Sequence, residues 1–367
     1  MDWFYTQPVD IRFGRGRLQE LPKLLKDYKK PVLVIDSFFA GSALEERLKE
    51  LAGTELVYSD ISPNPDVSQV DRCAALLREK GADVIAAVGG GSAIDLAKAA
   101  SVRAERISDY HGTGKPVPQD HLPVIALPTT AGTGSEVTCV SVLTDRSTGK
   151  KCPINSESFY PAAAVIDPEL TLSVPPKVTA STGIDVLCHA VEGYWSRGHQ
   201  PICDAIAVHA ARLVLDWLPA AYSEPDNIGA REKLAEASVM AGLAFTLPKT
   251  TSSHACSFPL TSIYGIPHGE ACGLTLDFFM HVNSADPRTQ QLSHLLGFGD
   301  AELFAEHIHT LKKRTGLRCG LSDLALTSEE IDVLVKKSHH PNLANNPIEI
   351  TDEILYELYT TLSKGSN

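Results

Sequence analysis

The apolar run VIAAV at residues 84–88 leads directly into Gly89-Gly90-Gly91-Ser92, and then into the helical stretch AIDLAKAA at 93–100. A buried strand, a glycine turn and a helix in immediate succession constrain the fold more than any other feature of the chain. The flanking sequence repeats the pattern. Residues 31–36 (PVLVID) and 123–127 (PVIAL) read as strands, as do 163–166 (AAVI), which Asp167-Pro168 closes. Continuous apolar runs alternating with helices imply a parallel sheet covered on both faces. After the Pro175-Pro176 pair the composition changes. Ala-, Leu- and Glu-rich segments at 202–218, 230–244 and 328–337 dominate, and strand signals nearly vanish. The chain therefore reads as an α/β domain at 1–177 followed by an all-α domain at 178–367.

With 367 residues there is room for two domains and a large core. Thirty-three basic against 45 acidic residues give a formal charge of −12, which argues against nonspecific nucleic-acid binding. No stretch approaches eighteen uncharged apolar residues, so no membrane span is expected. The N-terminus has neither a basic nor an apolar leader segment, and a cytoplasmic location is expected. Cysteines at 73, 139, 152, 188, 203, 256, 272 and 319 show no Cys-x-x-Cys spacing, which points to reduced thiols.

A glycine turn between strand and helix can aim backbone N–H groups and the positive end of the helix at a phosphate. Ser92 is expected to cap that helix. A plain tight turn is the alternative, since this is not a Gly-x-Gly-x-x-Gly fingerprint. Two features favour a nucleotide. Asp36 ends a strand, where a carboxylate can accept from a ribose 2′-hydroxyl and repel a 2′-phosphate, which selects NAD over NADP. Residues 128–136 (PTTAGTGSE) concentrate hydroxyls and glycines after another strand, a composition suited to cradling pyrophosphate or ribose.

The second half carries a metal-binding pattern. Asp185 and His189 stand four apart in a helical stretch beginning near Pro176, so they share one face. His254 and His268 follow, the first near a helix start and the second after a proline in a turn. Each alone has a bland reading as a core or surface residue. One carboxylate with three imidazoles suits Fe²⁺ or Zn²⁺ better than Mg²⁺ or Ca²⁺.

Four segments together resemble the signatures of iron-containing (group III) alcohol dehydrogenases: GGGSAIDLAK at 89–98, PTTAGTGSE at 128–136, GIDxxxHAxE at 183–192 and PHGEA at 267–271. Their order and spacing agree over essentially the whole chain, from Phe13-Gly14 to Asn346-Pro347. The resemblance implies a Rossmann-like first domain and a helical catalytic domain. It implies that Asp185, His189, His254 and His268 hold the metal, iron or alternatively zinc. It assigns Gly90, Gly91 and Ser92 to the pyrophosphate, and Thr129, Thr130 and Thr133 to the cofactor, together with Gly89, Asp95 and Ser135 of the same segments. Asp36 would read the adenosine ribose, and Asn64 and Lys151 are further cofactor contacts. Homodimers or larger assemblies are expected. The implied activity is NAD(H)-linked interconversion of a small primary alcohol and its aldehyde, with the metal as Lewis acid.

One position departs from the family pattern. Many members carry a further His four residues after the one matching His254; this chain has Phe258 there. The surrounding HxxSFPLT pattern resembles members that reduce two-carbon aldehydes bearing a sulfonate or phosphonate. An anionic substrate requires a cation, for which Lys249, Arg197 and Lys151 are candidates. The rival readings are a glycerol dehydrogenase-like zinc enzyme, a short neutral-alcohol dehydrogenase, a dehydroquinate synthase-type lyase and a non-catalytic nucleotide sensor.

Overall fold

The computed structural model describes residues 3–365. They form two compact units. One is Thr6–Leu172; the other takes in the chain from Ser173 onward together with residues 3–5. The division falls at Leu172, ahead of the boundary at 177 expected from the sequence, because the first helix of the second unit already begins at Pro176.

The first unit contains the strands β1 (Asp10–Phe13), β2 (Pro31–Ile35), β3 (Val57–Tyr58), β4 (Val84–Gly89), β5 (Val124–Pro128), β6 (Val140–Asp145), β7 (Lys150–Asn155) and β8 (Ala163–Ile166). Six of them form a parallel sheet in the order β1-β8-β5-β4-β2-β3; β6 and β7 pair separately as an antiparallel hairpin. The helices are α1 (Leu21–Leu25), α2 (Ala43–Ala52), α3 (Val67–Lys80) and α4 (Gly91–Ser101).

Alternation along the strands feeds two cores. Val32, Val34, Ile85, Ala87, Val124 and Ala126 pack with Val67, Val70 and Leu77 of α3 and Ile94 and Leu96 of α4. The intervening residues Leu33, Ile35, Ala86, Val88, Ile125 and Leu127 pack with Leu21 and Leu25 of α1 and Leu48 and Ala52 of α2. Both faces of each central strand are therefore apolar, which is why these runs read as uninterrupted in the sequence.

The winding direction reverses at β2. β3 lies on one side of it, and the chain then returns to place β4 on the other. In open sheets of this kind ligands bind at the carboxyl ends of the strands flanking such a reversal. Asp36 follows β2 and Gly90 follows β4, so the fold sets both at that point.

The second unit is helical: α5 (Pro176–Trp195), α6 (Pro201–Ser223), α7 (Ile228–Phe245), α8 (Ser252–Tyr264), α9 (His268–Val282), α10 (Pro287–Leu295), α11 (Ala301–Arg314), α12 (Ser328–Ser338) and α13 (Asp352–Lys364). The buried helix α5 packs against α6, α7 and α9, and α8 packs against α9. Gly269 explains how closely α9 meets α5. A Cβ there would lie 2.8 Å from that of Asp185, so the glycine after His268 brings the two donor-bearing segments together. Among the described residues no helix is long and apolar enough to cross a membrane.

Candidate active site

In the first unit, α4 begins at the glycine turn. Gly90 is its N-cap and offers no side-chain cap. Ser92 lies inside the first turn, so the expectation that it caps the helix is corrected. The first N–H groups of a helix have no intrahelical acceptor, which leaves those of Gly91 and Ser92 available to a ligand. The loop after β5 closes over this turn. Thr129 N–H donates to Gly89 O at 3.0 Å. A Cβ on Gly91 would lie 2.7 Å from Thr133 Cγ2, and one on Gly90 would lie 3.2 Å from Thr130 Oγ1. The two segments thus share a space that side chains on the glycines would fill. Asp36 stands beside them: its N–H donates to Val88 O at 2.8 Å, and its Oδ1 accepts from Phe38 N–H at 3.0 Å.

Asp95 and Ser135 lie one layer deeper. The Asp95 carboxylate accepts from Ser135 Oγ and, at 2.8 Å, from Val142 N–H. Lys98, wholly buried, donates to Ser135 Oγ at 2.8 Å and to Val140 O at 2.8 Å. Burial lowers the Lys98 pKa, with Asp95 and Glu136 opposing that shift. This network ties α4 to the 128–136 loop and to β6, so both side chains are engaged in holding the cradle's walls. Asn64 and Lys151 also meet, Lys151 Nζ donating to Asn64 Oδ1 at 2.7 Å. Asn64 has φ 54, a left-handed conformation that asparagine tolerates better than most residues.

The second unit gathers the candidate metal donors. Asp185 comes from α5, His254 from α8, and His268 is the first residue of α9. Their ligand atoms, with the thiol of Cys272, all lie within 4.8 Å of one another. Three of the four expected ligands therefore converge, and the fourth donor within that distance is Cys272. It stands one helical turn beyond His268, with Sγ 3.9 Å from Nε2. His189 lies alongside. Its ring stacks on Phe245 at 4.2 Å and is 4.6 Å from that of His254, centroid to centroid.

Glu192 organises the pocket. Fully buried on α5, it accepts from Thr251 Oγ1 at 2.8 Å and Ser253 N–H at 2.7 Å through Oε1, and from His254 Nδ1 through Oε2. Burial disfavours a charged His254 ring, but the Glu192 carboxylate prevails and the pKa is raised. With Nδ1 committed as a donor, Nε2 is the nitrogen left to face a ligand. That atom lies 3.6 Å from Asp185 Oδ1, is buried, and has no hydrogen-bond partner among the described residues. A divalent ion would satisfy it. A carboxylate, imidazoles and a nearby thiol form a donor set suited to iron or zinc.

Glu192 closes the 183–192 segment, whose pattern alone assigns it no role. Its position gives the signal, seven residues after Asp185 and so on the same helix face. Residues that hold a ligating imidazole by its second nitrogen typically account for ten- to hundredfold in metal affinity. Glu192→Gln is expected to weaken metal binding by about that factor while NADH binding is unchanged. Chelator competition and NADH fluorescence titration check the two halves.

The cradle and the buried donor set, each on its own fold unit, define a metal-dependent dinucleotide enzyme. Residues 8–168 match the family described as iron-containing alcohol dehydrogenase, and residues 179–363 match the C-terminal part of the Fe-containing alcohol dehydrogenase family. The chain belongs to the iron-containing alcohol dehydrogenase family and is an oxidoreductase. It is similar to the crystal structure of sulfoacetaldehyde reductase from Bifidobacterium kashiwanohense in complex with NAD+, at 56% identity, with 99% of each chain covered and a TM-score of 0.97. It is also similar to the sulfoacetaldehyde reductase of Bilophila wadsworthia, at 36% identity over 74% of this chain and 73% of that one. The NAD-dependent methanol dehydrogenase of Bacillus methanolicus is 31% identical over 91% of this chain and 92% of its own length.

Proposed function

We propose that this oxidoreductase reduces a two-carbon aldehyde bearing an anionic sulfonate, with NADH as hydride donor and iron as the metal. The reading is supported above all by the 56% identity to the Bifidobacterium kashiwanohense sulfoacetaldehyde reductase along 99% of both chains. When bound, the metal supplies Lewis-acid polarisation of the carbonyl and the nicotinamide supplies the hydride. In this proposal Asp185, His254 and His268 hold the ion, with His189 or Cys272 completing its shell. Glu192 keeps the proton of His254 on Nδ1. Gly90, Gly91 and Ser92 meet the pyrophosphate through backbone N–H groups, Thr129, Thr130 and Thr133 support it, and Asp36 accepts from the ribose. Phe258 presents an apolar ring that neither donates nor accepts a proton. Assembly as a dimer or larger oligomer belongs to the same proposal; light scattering tests it.

Two candidate cations lie on the unit that carries the donors. Lys249 is two residues before Thr251, the N-cap of α8, and Arg197 joins the 345–347 segment through its N–H to Asn345 O at 2.9 Å. Lys151 is engaged with Asn64. The test is NADH oxidation by anaerobically iron-loaded enzyme with sulfoacetaldehyde, phosphonoacetaldehyde and propionaldehyde. A charge-assisted contact contributes about 1.5–3 kcal/mol, so kcat/KM for sulfoacetaldehyde is expected to exceed that for propionaldehyde by about tenfold or more. Equal values for charged and neutral aldehydes would remove the anionic-substrate reading in favour of a neutral-alcohol dehydrogenase.

A further inference from the structure

His340 stands at the edge of the helical site with no part in the chemistry described so far. Its ring meets that of Phe258 at 4.8 Å with a 55° tilt. Phe258 in turn lies parallel to His268 at 6.1 Å. His340 is also near enough to His254 for the charge of one ring to oppose that of the other. The Phe258 ring thus has both His340 and a candidate metal donor as neighbours.

Hydrogen bonding fixes which nitrogen carries the proton. His340 caps the short turn Pro341–Asn345, Nδ1 accepting from Asn342 N–H at 3.2 Å. In the neutral ring the proton then sits on Nε2, which becomes a donor. The segment is also held in place. Asn342 Nδ2 donates to Thr250 Oγ1 at 2.8 Å, Asn345 Nδ2 donates to Pro248 O at 2.8 Å, and Asn346 Oδ1 accepts from Ser252 Oγ at 3.0 Å. These partners lie just before and at the start of α8, the helix of His254 and Phe258. Donor and metal ligand are therefore mounted on one frame, which limits the reorganisation needed on binding.

We infer that His340 is a specificity-determining residue whose Nε2–H donates to the terminal oxyanion of a short aldehyde while the carbonyl faces Asp185, His254 and His268. The inference rests on the anionic-substrate reading above. Discrimination works in both directions. An oxyanion gains a charge-assisted bond, whereas an alkyl end leaves a half-buried donor unpaired.

The experiment compares wild type, His340→Phe and His340→Gln as iron-loaded enzymes, with sulfoacetaldehyde and propionaldehyde as substrates and NADH saturating. His340→Phe is expected to raise KM for sulfoacetaldehyde by about tenfold to a hundredfold, with kcat within about twofold and KM for propionaldehyde lowered, because the donor that an alkyl end leaves unpaired is gone. His340→Gln, which restores an N–H donor, is expected to recover most of the loss. Metal content and thermal melting report whether the cap alone has been disturbed. A His340→Phe enzyme that keeps the wild-type preference for the sulfonate overturns the inference and leaves the substrate reading standing. A parallel loss on both aldehydes also overturns it, in favour of a structural role. Wild-type enzyme with no preference overturns the substrate reading and this inference with it.

Discussion

Asp185→Ala is expected to strip the helical unit of its metal and to lower kcat/KM for aldehyde reduction by about a thousandfold or more. The carboxylate is the one anionic oxygen donor in the cluster, buried between α5 and the start of α9. Without it, His254 Nε2 and the imidazole of His268 face an ion with no carboxylate to offset its charge. Lewis-acid activation contributes several kcal/mol to such reactions, and each 1.36 kcal/mol is tenfold in rate. Metal analysis after anaerobic iron loading should give well under one equivalent per chain. NADH binding should be retained, because the nucleotide cradle belongs to the other unit. His268→Ala, at a less buried position, is expected to give the same pattern, so the result does not depend on one variant folding well. Full metal occupancy in both variants would show that the ligands are misassigned.

Gly91→Val is expected to do the converse. The added Cβ would stand 2.7 Å from Thr133 Cγ2 and the branch would press further into the 128–136 loop. The loop and the start of α4 would be wedged apart, and with them the Thr130 and Thr133 hydroxyls that the proposal sets around the pyrophosphate. Two or more hydrogen bonds at about 1–1.5 kcal/mol each correspond to a loss in NADH affinity of about thirtyfold to a hundredfold. Fluorescence titration of NADH measures this directly. Metal content should stay that of the wild type. Opposite outcomes for Asp185→Ala and Gly91→Val, one losing metal and the other losing nucleotide, would establish that the two sites are built independently.

The sequence was most informative where burial and local geometry act together. β2, β4, β5 and β8 have apolar residues on both faces, and each runs as a continuous apolar string closed by a turn residue. α6 and α7 of the second unit carry long Ala- and Leu-rich stretches. What it did not disclose depends on partners distant in the chain. β1 is a sheet edge stabilised by its pairing to β8, and β3 has two residues. The β6–β7 hairpin alternates too weakly between buried and exposed positions to stand out. The Ser92 expectation failed because the helix begins two residues earlier than its serine suggests, with Gly90 serving as the cap.

At the site, helical spacing paired Asp185 with His189, and residue type brought forward His254 and His268. The neighbours of these residues were not legible. Cys272 follows His268 by one turn, so the spacing was present, but nothing in a lone cysteine distinguishes it from core filler. That His189 lies flat on Phe245 depends on how α7 packs against α5. His340 reaches Phe258 only because three asparagines strap the 340–346 segment to the start of α8, and no spacing rule encodes a strap of that kind.

The most direct test of the whole account is reconstitution. Chelated apoenzyme receives Fe²⁺ in sub-stoichiometric steps under anaerobic conditions, and NADH oxidation with sulfoacetaldehyde is followed at each step. A single ion held by the Asp185, His254 and His268 cluster predicts activity that is absent at the start, rises linearly, and stops rising at one equivalent per chain. Full turnover by the metal-free protein, or a rate indifferent to added iron and zinc alike, would contradict it.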